Sequence, residues 1–163
     1  MLFPLHGAAE EWGEIDVKAA FLFNFARFLS WPEEAFAFPD SPIVFGILGD
    51  PEFFETASAT ITGKTVNDRP VEVRELQDDS EAKKVHLLFL ARALETQGDS
   101  IRTAVGESPV FVIADFEGFA ANGGTAHFYM DHDRVRFAIN LRVAQEKGLT
   151  ISSKLLRVAT LVE

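Results

Sequence analysis

Pro42-Ile43-Val44-Phe45-Gly46-Ile47-Leu48-Gly49-Asp50-Pro51 is the stretch that decides the fold. Its apolar run has strand length and no polar alternation, which suits a strand covered on both faces, as in parallel sheets. Asp50 then reads as a helix N-cap and Pro51 as the first helical residue, where a missing N–H costs nothing. The helix that follows carries Phe53, Phe54 and Ala57 and stops by Gly63. A buried strand running straight into a capped helix opens a β-α unit.

The same signature recurs outward along the chain. Val85-His86-Leu87-Leu88-Phe89-Leu90 and Val110-Phe111-Val112-Ile113-Ala114-Asp115 read as two more buried strands, with a polar helix expected around residues 94–105 between them. Val71-Glu72-Val73-Arg74-Glu75-Leu76 alternates and reads as an edge strand. Alternating strands and helices predict right-handed crossovers and a mostly parallel sheet. Past Asp115 the pattern changes. Asn122-Gly123-Gly124 is a turn, and residues 126–130 and 135–140 flank Asp131-His132-Asp133-Arg134 as a hairpin. A short helix is expected over residues 141–147, closed by Gly148, and a last one over residues 152–161, capped by Ser152 or Ser153. On the N-terminal side, residues 14–31 lack Gly and Pro, and Pro32 ends the run. At helical spacing Phe21, Phe25, Phe28, Leu22 and Leu29 share one wide face, with Asp16, Arg27 and Ser30 opposite. The expected fold is α/β, a mostly parallel sheet with helices on both faces and an antiparallel hairpin at one side. Residues 14–163 are expected to form one domain, and residues 1–13 a disordered stub or signal-peptide remnant, since Ala8-Ala9 end in small residues as a cleavage site does.

Composition narrows the function. The chain has 163 residues and a net charge of −10, so its surface repels nucleic-acid backbones and anionic membranes alike. It has no cysteine, which removes disulfides and thiolate chemistry. No stretch of roughly 18 uncharged apolar residues is present, so direct membrane insertion is not expected. The 16 Phe against one Tyr point to a core built from rings with no polar atom to satisfy.

Catalytic and cofactor motifs are weak. Gly46 and Gly49 are followed by Asp50 instead of a third glycine, and a carboxylate there repels phosphate. His127, Asp131, His132 and Asp133 suggest a metal at first sight, but all except His127 fall in the hairpin turn, where solvated Asp is ordinary. His86, in an apolar strand, reads as a hydrogen-bonded core histidine before a general base. Ser153 and Lys154 have the types of a Ser–Lys pair, yet serve equally as a helix start and a solvated lysine. Paired carboxylates such as Glu33-Glu34 and Asp78-Asp79 lie in polar loops. We therefore expect no catalytic residue, no metal and no cofactor.

Binding residues are better candidates. Phe23 falls on the polar side of the first helix, either under a neighbouring loop or at an interface beside Arg27 and Trp31. Trp31 either packs under the following loop or anchors a partner. Arg136, Ala138 and Asn140 share one strand face by period two. That face together with Lys154 either lines a small polar pocket or is an ordinary solvated face with Asn140 as a cap.

Three segments carry a family resemblance: Val17-Lys18-Ala19-Ala20-Phe21-Leu22-Phe23-Asn24-Phe25-Ala26-Arg27-Phe28-Leu29-Ser30-Trp31-Pro32, then Gly63-Lys64-Thr65-Val66-Asn67-Asp68-Arg69-Pro70-Val71, then residues 109–159 with Gly118-Phe119-Ala120-Ala121-Asn122-Gly123-Gly124, Val135-Arg136-Phe137-Ala138-Ile139-Asn140 and Gly148-Leu149-Thr150-Ile151-Ser152-Ser153-Lys154-Leu155-Leu156. In order and spacing, from Ile15 onward, the chain resembles the YfiR-like family. The resemblance implies an exported, periplasmic protein of Gram-negative bacteria. The best-understood member represses a membrane-bound diguanylate cyclase by binding its periplasmic sensor region, which lowers cyclic di-GMP and biofilm formation. The resemblance also implies a homodimer. Two departures stand out. This chain lacks the cysteines with which that member senses redox state, and Ala138 stands where relatives often carry an acidic residue.

Three functions compete. A periplasmic regulatory module, bound to a membrane signalling protein through Phe23, Arg27 and Trp31, is the leading expectation. A small-ligand receptor using Arg136, Asn140 and Lys154 comes second, and a Ser153–Lys154 hydrolase third.

Overall fold

The computed structural model describes residues 13–163. The expectation for a disordered stub or signal remnant falls almost wholly on residues 1–12, outside that range. β1 (Leu29–Ser30) and β9 (Thr150–Ile151) form a small antiparallel pair. The main sheet has eight strands in the order β10-β8-β7-β6-β5-β2-β4-β3. These are β2 (Ile43–Leu48), β3 (Thr65–Val66), β4 (Arg69–Leu76), β5 (Leu87–Leu90), β6 (Phe111–Ala114), β7 (Ala126–Asp131), β8 (Arg134–Asn140) and β10 (Thr160–Val162). β4-β2-β5-β6-β7 run parallel, and β7 turns back into β8 as an antiparallel hairpin.

Every residue of β2, β5 and β6 is buried, because helices cover both faces of the sheet. One face carries α1 (Glu14–Phe28), α2 (Pro51–Ile61) and α5 (Ser153–Leu156) over a core of Phe21, Phe25, Phe45, Phe53, Phe89 and Phe128. Phe53 and Phe89 stack with ring centres 4.1 Å apart. The other face carries α3 (Gly98–Val105) and 3-10 turns over Val44, Leu48, Leu88, Ile101 and Val112. α2 starts as the sequence predicts: the Asp50 carboxylate accepts the Phe53 N–H at 2.9 Å, with Pro51 in the first turn. α4 (Leu141–Glu146) starts on Asn140 and ends before Gly148, whose φ of +78° suits glycine.

Three elements differ from expectation. The first helix ends at Phe28 instead of Trp31. Leu29 and Ser30 are extended and pair with Ile151 and Thr150, and the residue preceding Pro32 disfavours helical backbone. The polar helix over residues 94–105 is broken. A 3-10 turn (Arg92–Gln97) with Leu94 at φ −102°, ψ 17° precedes α3, whose first residue, Gly98, lets Phe116 approach closely. The last helix is only α5. The chain then extends into β10, parallel to β8, because Val158-Ala159-Thr160-Leu161-Val162 suits a strand and the outer side of β8 is otherwise unpaired.

Candidate functional site

The first helix is tied to the sheet at both ends. At its N-terminal end Lys18, only 4% exposed, pairs with Asp115 at 2.7 Å and with Glu14 one turn back. Asp115 follows β6, so this anchor sits at the carboxyl ends of the parallel strands. At the other end the Trp31 indole N–H donates to the His86 carbonyl at 2.9 Å. α1 therefore runs the height of the sheet, and its outer side meets the end of α2 in a groove.

That groove has a volume of about 590 Å³ and is lined by Asp16, Ala20, Phe23, Asn24, Arg27, Thr60 and Lys64. Phe23 is half-buried and packs against the core below. The Lys64 ammonium lies 4.8 Å from its ring centre, a cation–π distance. Arg27 is exposed, donates to Asn24 Oδ1 at 3.3 Å and lies 5.5 Å from the Phe28 ring centre. The groove thus presents one aromatic ring flanked by two cations, with Asn24 at its base. Phe23 and Arg27 were expected to lie together, and they do. Lys64 and Thr60 were missed. Nothing local marks them, because the end of α2 meets α1 only once both lie on the sheet.

Trp31 is not in the groove. It stands edge-on to His86 and Phe36, at 5.8 and 6.5 Å, under the loop over residues 32–42. Of the two readings open for it, the structure adopts packing. Phe36 stacks on His86 at 4.4 Å, and the Arg69 guanidinium lies 3.6 Å from the Phe36 ring centre. His86 Nδ1 accepts the Val44 N–H at 3.0 Å and its Nε2 lies 2.9 Å from the Ala35 carbonyl, which fixes the neutral Nε2–H tautomer. Burial holds its pKa below the usual histidine value, and the Arg69 and Arg74 charges add to this against the Ala35 hydrogen bond.

Of the two readings open for Arg136, Asn140 and Lys154, the polar pocket does not form, and Asn140 is a cap. Asn140 is 1% exposed, and its side chain accepts the Val143 N–H at 3.1 Å and donates to the Ala120 carbonyl at 2.9 Å. Arg136 is exposed and pairs with Asp131 at 3.2 Å. Lys154 is exposed on α5, which lies against the Phe-rich face, whereas Arg136 points from the opposite face of β8. Alternation put Arg136 and Asn140 on one face but could not show that the loop over residues 116–124 covers it.

That loop carries the glycine-rich shared segment. Asn140 holds the Ala120 carbonyl, and His127 Nδ1 accepts the Ala120 N–H at 3.1 Å. A Cβ on Gly124 would lie 2.3 Å from the Phe119 ring, so only glycine admits that ring. Burial lowers the His127 pKa, with Glu117 opposing. His127 is thus fixed away from the turn, where Asp131 pairs with His132 at 2.7 Å. Among the described residues no group of three or more His, Asp or Glu is placed to hold a metal ion.

Two further places were tested. At the end of β2, Leu94 packs on Gly49, where an added Cβ would stand 2.6 Å from its Cδ1. Beside it, an acidic crevice of about 400 Å³ includes Asp50, Glu75, Asp78 and Asp79. Asp50 and Asp78 spend their carboxylates on capping, and the hydrogen bonds from Ser80 lower the Asp78 pKa. Ser153 and Lys154 are both exposed, and it is the Ser152 hydroxyl that caps α5, accepting the Lys154 N–H at 3.2 Å. Among the described residues no helix is long and apolar enough to cross a membrane.

Two solved structures share the fold. A conserved domain protein from Vibrio cholerae O1 biovar El Tor str. N16961 aligns with a TM-score of 0.55 at 12% identity, over 74% of this chain and 55% of its own. An ABC domain from Streptococcus pneumoniae, solved in complex with L-Trp, aligns with a TM-score of 0.52 at 15% identity, over the same shares. The chain thus spans about half the length of these structures, and identities this low establish the fold alone. No curated protein sequence matches the chain. A family model described as YfiR/HmsC-like matches residues 15–160, the span that holds the anchored first helix, the groove and the clamped glycine loop; the chain belongs to the YfiR/HmsC-like family.

Proposed function

We propose that residues 14–163 act as one non-catalytic periplasmic regulatory module, which binds the periplasmic sensor region of a membrane signalling protein such as a diguanylate cyclase. The observation that carries this reading is the groove between α1 and α2. A partly open ring, Phe23, sits between Arg27 and Lys64, and aromatic and arginine side chains supply most interface hot spots. Family membership supports the compartment and the partner class. The exposed Ser153 and Lys154 support recognition over turnover. With no cysteine in the chain, the signal is a ligand, a partner or protein level, not its own disulfides.

The test is genetic and direct. Deleting the gene should raise cellular cyclic di-GMP, and the wild-type chain should restore it. The Phe23→Glu variant should fold, by circular dichroism, yet fail to restore it and fail to retain the membrane partner in a pull-down. Full restoration by Phe23→Glu would remove the groove from the binding surface. Unchanged cyclic di-GMP on deletion would remove the cyclase.

The groove also supports a second reading. Its volume falls in the range of small-molecule sites, and its polar groups are few and convergent. One fold relative was solved with L-Trp, so amino acids are the first class to screen. A thermal shift abolished by Arg27→Ala would favour a ligand receptor.

A further inference from the structure

Phe38 is 68% exposed, the most exposed large apolar side chain among the described residues. The loop that carries it, residues 32–42, is nonetheless held at several points. The Phe38 N–H donates to Ser41 Oγ at 2.9 Å, and Arg69 Nη1 donates to the carbonyls of Phe38 at 3.1 Å and of Ser41 at 2.9 Å. Phe36 is fixed between the Arg69 guanidinium and His86, whose Nε2–H donates to the Ala35 carbonyl. An apolar ring held in water contributes little to its own fold. A ring whose backbone is fixed beforehand loses little freedom on docking, and aromatic side chains are enriched at interface centres.

The charges around the ring define what it meets. The loop carries Glu33, Glu34 and Asp40, all exposed, and no Lys or Arg. Arg69, the cation beside it, is spent on two carbonyls and on the Phe36 ring. One hairpin joins this loop to the groove. Val66 of β3 pairs with Arg69 of β4 across Asn67 and Asp68, both at positive φ as a two-residue hairpin turn requires. Lys64, just before β3, lies on the Phe23 ring, and Arg69, opposite Val66, holds the Phe38 carbonyl. In the groove the one carboxylate, Asp16, lies about three helical turns from Arg27. Groove and loop are thus one continuous surface, cationic around Phe23 and acidic around Phe38.

We propose that the residue 32–42 loop is a second docking element for the membrane signalling partner. Phe38 enters an apolar pocket of the partner's periplasmic sensor region, and Lys or Arg at the rim of that pocket meet Glu33, Glu34 and Asp40. The inference rests on the regulatory reading above and adds the chemistry of the partner's surface, basic where it meets the loop and acidic where it meets Arg27 and Lys64. Opposite signs along one surface fix the pose in which the partner lands, because the reversed pose sets like charges together.

The experiment is photocrosslinking of the full-length chain in the native cell, with p-benzoylphenylalanine in place of Phe38, of Phe23 or of Glu95. Glu95 is exposed in the 3-10 turn at the carboxyl ends of the strands and serves as the control. Positions 38 and 23 should crosslink to the same membrane protein with a periplasmic sensor region, identified by mass spectrometry, and position 95 should not. Glu33→Lys with Glu34→Lys should cut the crosslink from position 38 roughly tenfold, and circular dichroism checks the fold of that variant. A crosslink from position 23 without one from position 38 overturns the inference and leaves the regulatory reading standing. A crosslink from position 38 without one from position 23 upholds the loop and removes the groove from the interface. A crosslink from position 38 that ignores the charge reversal, that joins a second copy of the chain, or that is matched at position 95 overturns the inference, as does none from any position.

Discussion

Lys18 shows how one residue fixes a helix. Its ammonium is buried between Asp115 and Glu14, and its side chain passes within 5.9 Å of the Phe128 ring centre. Removing one member of a buried pair leaves the other charge without compensation. Lys18→Met, which keeps the packing of the stem, is expected to cost about 3 kcal/mol in urea denaturation, and adding Asp115→Asn should recover most of that. No recovery would mean that the lysine stem, not its charge, does the anchoring. His86 sets a pH dependence. Its folded pKa is lowered by burial, so below about pH 6.5 the unfolded chain takes up a proton that the folded chain refuses. Stability is therefore full above that pH and falls as the solution is acidified. His127 acts in the same direction. Denaturation at pH 7.5 and 5.5 should show this loss, and His86→Gln should reduce it; an unchanged slope in the variant would place the effect elsewhere.

At the scale of elements, local signals ended where partners began. Asp50-Pro51 marked the start of α2 because a cap is local. The same rule read Asn140 as a possible cap, and it is one, but its amide also holds Ala120, twenty residues away. Asn140→Ala should therefore cost about 2–4 kcal/mol, more than a surface cap, since it leaves the Ala120 carbonyl and the Val143 N–H unpaired in a buried site. A loss under about 1 kcal/mol by urea denaturation would show that the Phe119 ring alone holds the loop. The helix expected over residues 152–161 stops at Leu156, and Thr160 and Leu161 enter β10 instead, because the outer side of β8 was open to a β-branched segment. Propensity over a few residues is weaker than a row of unmet backbone partners.

At the scale of the whole molecule, the two ends of the sheet have different roles. At the carboxyl ends, where open α/β sheets usually bind ligands, Leu94 packs on Gly49, the Lys18–Asp115 pair anchors α1, and the crevice that remains is acidic. The groove runs along α1, with Arg27 toward the amino ends, which also carry the ordered Phe38 loop and the His86 cluster. The net charge of −10 discourages non-specific contacts, which leaves the cationic groove distinct from its surroundings.

The sequence by itself determined the sheet and its class. Residues 43–48, 87–90 and 111–114 have no polar alternation, and only burial on both faces accommodates that. It also placed Phe23 and Arg27 on one helix surface, since i and i+4 neighbours are fixed by helical geometry. Only the tertiary structure decided that Lys64 caps the Phe23 ring, that Trp31 turns under a loop and that Phe38 is held in solvent. Each of these joins segments separated by tens of residues. Periodicity reports which way a side chain faces; what it meets there is set by packing between elements.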